Sequence, residues 1–128
     1  MKLLVDKITL KPSGTGVDLT LNVKGSVTVD KEKSDDLVSG LMHVSGEQID
    51  INIETVDMSA SDYNALRALI NQTLTVTFYN GATARVVAIG CRVYPKLEGT
   101  AGEYYKATIT GGKKFATADT FSNHVTLA

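Results

Sequence analysis

Two histidines, one cysteine and a few carboxylates are the side chains with which this chain could do chemistry. His43 and His124 are the only histidines. They lie far apart in sequence, and neither has a second ligand at metal-binding spacing. A zinc or catalytic site needs three or four convergent ligands, so each reads as a surface or interface histidine. Cys91 is the lone cysteine, which leaves no intrachain disulfide. It shares an apolar face with Val87, Ile89 and Val93, where a thiol packs as a small hydrophobe. No base can be assigned to activate it as a nucleophile. Asp50 and Glu54 share a polar face, with Asn52 between them. Paired carboxylates can do acid–base work, but on the wet face of a strand they are ordinarily solvated, and no pocket can be argued around them. Asp35-Asp36 lacks the oxygen-ligand spacing of a calcium loop. Gly14-Thr15-Gly16 and Gly111-Gly112-Lys113-Lys114 contain phosphate-loop residues without the full glycine fingerprint leading into a helix, and both read as ordinary turns. No acid, base and nucleophile assemble from these residues, so neither an enzyme nor a cofactor or metal site is expected.

Bulk properties narrow the classes further. A chain of 128 residues is the size of one ordinary domain, expected to span 1–128, and can bury its own core without a staple. Apolar residues make up 43% and charged residues 21%, the balance of a globular protein. A formal charge of −1 lacks the basic excess of a duplex-binding protein. Trp is absent and aromatics amount to 6%, which argues against a sugar- or base-stacking platform. No apolar run approaches the roughly 18 residues of a membrane span. Met1-Lys2-Leu3-Leu4-Val5-Asp6 meets an acidic residue too soon for a signal peptide. The expected compartment is therefore a cytoplasm, which a lone cysteine fits.

The elements that must position these groups are mostly strands. Leu3 to Lys11 reads as a first strand with Leu4, Ile8 and Leu10 on one face, ended by the turn residues Pro12 to Gly16. From Val17 to Asp30 the alternation is strict. Val17, Leu19, Leu21, Val23, Val27 and Val29 hold odd positions with Gly25, and Asp18, Thr20, Asn22, Lys24, Ser26, Thr28 and Asp30 hold the even ones. Such a ribbon has one greasy and one polar face. It spans on the order of 40 Å, far beyond the usual strand of about five or six residues, and suggests a sheet that continues past its own subunit. An extended, charged loop is expected at about 31–46, where Lys31 to Asp36 has nothing apolar to bury, while Leu37 to Val44 is also compatible with a short strand that puts Met42 and Val44 on one face. Ile49, Ile51 and Ile53 then alternate with Gln48, Asp50, Asn52 and Glu54.

The period changes at Ser59, a candidate N-cap with Asp62 three residues on. Tyr63, Leu66, Leu69 and Ile70 form the stripe of one amphipathic helix, about 60–71. Strands resume at Thr73, and Asn80-Gly81 marks a hairpin. The return strand, about Thr83 to Tyr94, is apolar on both faces and reads as central and covered on both sides, with Gly90 a candidate bulge. Pro95 to Gly102 reads as a loop, Tyr104 to Thr110 as a strand, Gly111-Gly112 as a tight turn, and Lys113 to Ala128 as a last short strand and tail. The fold class is mainly β: an antiparallel sandwich or partly closed barrel with one short flanking helix.

A long strand, a charged extended loop, Ile-x-Ile-x-Ile, a helix entered through Ser59-Ala60-Ser61-Asp62-Tyr63 and continuing Ala65-Leu66-Arg67-Ala68-Leu69, and then a hairpin: this arrangement resembles the tail tube proteins of long-tailed bacteriophages and their relatives in contractile injection systems. Gln48 to Phe78 carries most of the likeness. The resemblance implies a structural virion protein, assembled in the host cytoplasm, whose subunits form hexameric rings that stack into a hollow tube. It implies a channel wall formed by the polar side of the inner strands, with Asp18, Thr20, Asn22, Lys24, Asp50, Asn52 and Glu54 as lining candidates. The loop with Lys31, Glu32, Lys33, Asp35 and Asp36 becomes a candidate contact to a neighbouring ring or subunit. Implied partners are further copies of the chain, other tail or baseplate proteins, and DNA as non-specific cargo sliding past a polar and acidic wall, with no membrane. Neck, tube-end and baseplate proteins share the pattern. The competing expectation is a small β-barrel or sandwich that binds a small molecule or glycan.

Overall fold

The computed structural model describes residues 2–14, 18–36, 41–102, 104–115 and 125–127, with backbone alone at 30–36, 41–48, 100–101, 114–115 and 125–127. The strands are β1 (Lys2–Pro12), β2 (Leu19–Asp36), β3 (Leu41–Thr55), β4 (Leu74–Asn80), β5 (Thr83–Ala101), β6 (Tyr104–Phe115) and β7 (Val125–Leu127), and the helix α1 (Ala60–Ala68) lies between β3 and β4. All pairings are antiparallel, in the order β4-β1-β2-β3-β6-β5, and a further β4–β5 ladder closes the ring. Between an expected sandwich and an expected partly closed barrel, the outcome is a fully closed barrel of six strands. The short β7 adds to β5 at Val86–Ala88.

Alternation fills the interior. Leu19, Leu21, Val23, Val27 and Val29 from β2 and Ile49, Ile51 and Ile53 from β3 are all buried, as the period-two pattern requires. They meet Phe78, Val76 and Leu74 of β4 and Ile109 of β6 in one continuous core. Each such side chain contributes roughly 1.5–3 kcal/mol relative to exposure. Two strands change phase partway. In β1, a register shift at Asp6 puts Val5, Ile8 and Leu10 inside and leaves Leu4 69% exposed, contrary to the face expected for Leu4. The shift is pinned by the β4–β5 hairpin: the Gly81 N–H donates to Asp6 Oδ2 at 2.8 Å, and Asn80 Nδ2 donates to the Leu4 carbonyl at 3.2 Å. In β5, the ladder skips Gly90, whose φ is 88°. Val86 and Ala88 point inward before the bulge, Cys91 and Val93 after it, and Ile89 is exposed. The doubly apolar pattern is therefore one buried face interrupted by a bulge, not a strand buried on both faces.

The helix forms where the period changed. Ser59 Oγ accepts from the Asp62 N–H at 3.1 Å, the N-cap bond that its position predicts. Leu66 and Leu69 enter the core, with α1 packed on β2 and β6, and Tyr63 stacks on Tyr105 at 6.5 Å. The helix ends at Ala68, short of the expected residue 71, because Asn71 adopts a left-handed φ of 68°.

Three expected loops or turns are strand instead. β5 runs through Pro95 to Ala101, where it pairs with Tyr104. Gly111-Gly112 lies inside β6, where that strand is paired with β5 and β3 together. A Cβ at Gly111 would strike the Arg92 carbonyl and one at Gly112 the Ile49 carbonyl, so this crossing admits only glycine. The expected loop at 31–46 is largely an extension of β2 and β3, laddered from Lys31↔Glu47 to Asp36↔Leu41. Beyond Glu47, which still pairs with Phe115, the two strands have only each other among the described residues. They leave the barrel as a two-stranded arm; residues 37–40, like Val17, lie outside the described residues.

Gly112→Ala should lower stability by about 2 kcal/mol or more, since it combines a positive φ with a backbone clash. Gly14→Ala, with nothing within 4 Å of its added carbon, should stay within about 0.5 kcal/mol of the parent. Urea unfolding midpoints of the two variants measure the difference.

Candidate functional site

The outward residues of five adjacent strands fall into register as a grid. One row runs Lys24 (β2), Glu54 (β3), Thr108 (β6), Lys96 (β5). The next runs Leu4 (β1), Ser26, Asn52, Thr110, Tyr94. A third runs Lys2, Thr28, Asp50, Gly112, Arg92. Neighbouring strands sit about 4.8 Å apart and alternate residues about 6.6 Å apart along a strand, so the grid is a continuous surface, polar across β2, β3 and β6 and flanked by the exposed Leu4 and Tyr94. No element among the described residues covers it.

The seven lining candidates divide on this surface. Lys24, Asp50, Asn52 and Glu54 belong to the grid. Thr20 and Asn22 lie further along β2, beside Thr9 and Lys7 of β1, because β3 ends at Thr55 opposite Val23. Thr20 and Thr9 join their hydroxyls at 3.1 Å. Asp18 is exposed just before β2 begins. All seven face outward, away from the core.

The charge of the grid differs from the acidic wall that the resemblance implied. Glu54 Oε2 receives two ammonium groups, Lys24 Nζ at 3.6 Å and Lys106 Nζ at 3.5 Å. Asp50 is the other carboxylate of the rows, whereas Lys2, Lys24, Arg92, Lys96 and Lys106 stand on or beside them. The surface is mixed, with Arg92, Lys96 and Lys106 along the β5–β6 margin offset by Asp50, Glu54 and Glu98. Sequence reasoning missed that margin because Pro95 was read as the start of a loop, which removed Lys96 from any strand face. The alternation of Lys106, Thr108 and Thr110 was the signal that could have found its β6 half.

Two shallow hollows flank the segment after β3. One lies among Lys24, Val56, Asp57, Tyr104 and Lys106, the other among Asp6, Lys7, Asn22 and Gly81. The wall between them is Val56–Asp57. It is held where the Val56 N–H donates to the Asn22 carbonyl at 2.9 Å and where the Met58 carbonyl accepts from the Tyr105 N–H at 2.7 Å. Thr55, the buried polar residue here, accepts from the Ala107 N–H at 2.9 Å through Oγ1, so its hydroxyl is structural.

The remaining sequence candidates separate clearly. Lys31, Glu32, Lys33, Asp35 and Asp36 sit on the β2 strand of the arm. His43 lies on the β3 strand of the arm, with its side chain outside the described residues, as is all of His124. Cys91 is fully buried in the barrel. Burial pushes its thiol up to about 11, and the Lys113 charge lowers it in part. No helix among the described residues is long and apolar enough to cross a membrane. No protein-family model matches the chain, and no curated protein or solved structure is found to be similar to it.

A thiol whose folded pKa lies above its ordinary value loses stability as pH rises, because the unfolded chain releases its proton first. The stabilising difference is whole below about pH 9 and declines from there toward about 11. Unfolding midpoints measured from pH 8 to 11 should therefore fall more steeply for the parent than for Cys91→Ala. The folded parent should also resist a thiol reagent at pH 8 that labels it in urea.

Proposed function

We propose that this chain is a structural subunit of a virion, a tail tube protein that assembles into stacked rings around a channel. The observation that carries the reading is the arm. A two-stranded ribbon beyond the barrel presents backbone donors and acceptors along both outer edges, and a ribbon of two strands is marginal by itself in water. It becomes stable when a further strand or surface meets it. In a homo-oligomer the surface is another copy, and repeated contacts of this kind generate closed rings or filaments.

The grid supplies the second requirement. Asn52, Ser26, Thr28 and Thr110 give a polar strip across β2, β3 and β6 whose opposite side is the filled core. Lys24, Asp50 and Glu54 partly cancel within it. Such a wall presents many small dipoles and little net charge, so a polyanion can pass without strong pairing of its phosphates. The same features suit a neck, tube-end or baseplate part. They suit a small-molecule or glycan binder less well, because Phe78, Ile8, Leu10, Ile53 and Ile109 fill the barrel, and the hollows at its surface are shallow.

Concentrated protein should form rings or short tubes in negative-stain micrographs, with a concentration-dependent sedimentation coefficient. Replacing residues 32–46 with a two-residue Asn-Gly turn should leave a folded barrel, with its thermal midpoint within a few degrees of the parent, that sediments as a monomer. A parent that stays monomeric at high concentration, even with a nucleating tail complex, overturns the proposal.

A further inference from the structure

We infer that the Asn80–Gly81 peptide is a site of spontaneous deamidation, and that β1 holds it unreactive for as long as the barrel stays closed there. The inference goes beyond the assembly reading and does not depend on it. Asparagine followed by glycine is the pair in which the next backbone nitrogen most readily reaches the side-chain amide, because glycine puts no Cβ in the way. The hairpin cannot do without that glycine. β4 ends at Asn80, which pairs with Thr83, so Gly81 and Ala82 form a two-residue turn. Gly81 has a φ of 65°, in the left-handed region that favours glycine. A Cβ there would meet nothing within 4 Å, so the backbone conformation alone demands the residue. The reactive pair is thus a by-product of the turn. Asn80 and Gly81 are exposed, and Gly81 opens on the hollow that it shares with Asp6, Lys7 and Asn22, so water reaches the site.

In the reaction the Gly81 nitrogen attacks Asn80 Cγ. A bond forms between them, the Cγ–Nδ2 bond breaks, and the Gly81 amide proton passes to Nδ2, which departs as ammonia. Water then adds to either carbonyl of the ring. Cleavage at Cγ leaves aspartate on a normal backbone; cleavage at the main-chain carbonyl leaves an isoaspartyl link with one extra main-chain carbon. In the folded chain β1 engages both reacting groups. The Gly81 N–H donates to Asp6 Oδ2 at 2.8 Å, and Asn80 Nδ2 donates to the Leu4 carbonyl at 3.2 Å. The amide that must swing over its own backbone is tied to another strand, and the proton that must leave Gly81 is held in a hydrogen bond. These are the bonds that pin the phase shift of β1, so the site reacts when that seam opens. Conversion then disfavours reclosing. A carboxylate replaces the donor against the Leu4 carbonyl and adds charge beside Asp6, and an isoaspartyl carbon lengthens a turn of two residues.

Incubation of the full chain at neutral pH, followed by peptide mass spectrometry, tests this. Deamidation at Asn80 should be about tenfold or more slower in the folded parent than in urea at the same pH. Asp6→Ala should speed it about tenfold in the folded state, because a hydrogen bond to a charged group no longer holds the site closed. Asp6→Asn keeps an acceptor for the Gly81 N–H and should stay close to the parent. Gly112→Ala, destabilised elsewhere in the barrel, should also stay close to it. Asn80→Asp, the product with a normal backbone, should melt below the parent. Circular dichroism melts check that each variant is folded. The inference is overturned if Asn80 reacts as fast in the folded parent as in urea, if Asp6→Ala leaves the rate unchanged, or if Asn80→Asp melts like the parent. It is also overturned if Gly112→Ala speeds the reaction as much as Asp6→Ala, since global unfolding then exposes the bond. Slowing by both Asp6→Ala and Asp6→Asn overturns it too, since the carboxylate then acts as a base. None of these outcomes bears on whether the chain assembles.

Discussion

Barrel closure depends on how closely three backbones approach at Gly111-Gly112. There β6 is hydrogen-bonded to β5 on one side and β3 on the other, and the carbonyls of Arg92 and Ile49 occupy the space that side-chain carbons would fill. Gly25 makes a similar approach on β2, where an added carbon would lie 2.6 Å from the Asn52 carbonyl. A sheet of six strands closes only if its strands bend and twist sharply, and glycine at the crossings is one way to obtain that bend. Bulges at Asp6 and Gly90 supply the rest, each rotating a strand by one residue so that its apolar members stay inside. Without these local departures from regular pairing, Val5 and Cys91 would face solvent.

Closure also decides where function can lie. A small barrel packed with Phe78 and the branched side chains of its strands keeps no interior for a ligand. The chemistry-bearing groups inside are spent on structure: Thr55 accepts a backbone N–H, and Cys91 is held neutral by burial. Recognition is thereby confined to the outside of the barrel and to the strands that outrun it. The grid and the arm are two of the surfaces that this geometry presents, and they share β2 and β3. Any force on the arm is transmitted through a continuous ladder to the wall beside the grid.

Strict alternation made part of this legible in the sequence. Leu19 to Val29 and Ile49 to Ile53 have one buried solution each, because a slip by one residue would put a whole face of isoleucine and valine in water. Ser59 and the helical stripe after it were equally plain. What the sequence obscured shares one cause: pairing partners distant in the chain override local signals. Pro95 and Gly111-Gly112 are turn residues by local chemistry, yet each lies within a ladder fixed by strands from elsewhere. Lys31 to Asp36 has no apolar residue in sequence and still forms a strand, because it is laddered to Leu41–Glu47 of β3. The candidate site suffered in the same way. The β2 and β3 members were readable from alternation, whereas the β5 and β6 members became neighbours only through register.

The arm explains why β2 is so long. A barrel of this size needs only the part of β2 that pairs with β1 and with the end of β3, from Leu19 to Val29. Beyond Val29 the strand has no apolar residue, and six of its last seven residues, Asp30 to Asp36, are charged. Ordering them costs about 1–2 kcal/mol per residue in backbone entropy, and the ladder to β3 returns only modest hydrogen-bond energy in water. A polar ribbon held at that cost is poorly accounted for by the stability of one barrel. On the assembly reading proposed above, a contact made outside the barrel would account for it by desolvating the edges of the ribbon.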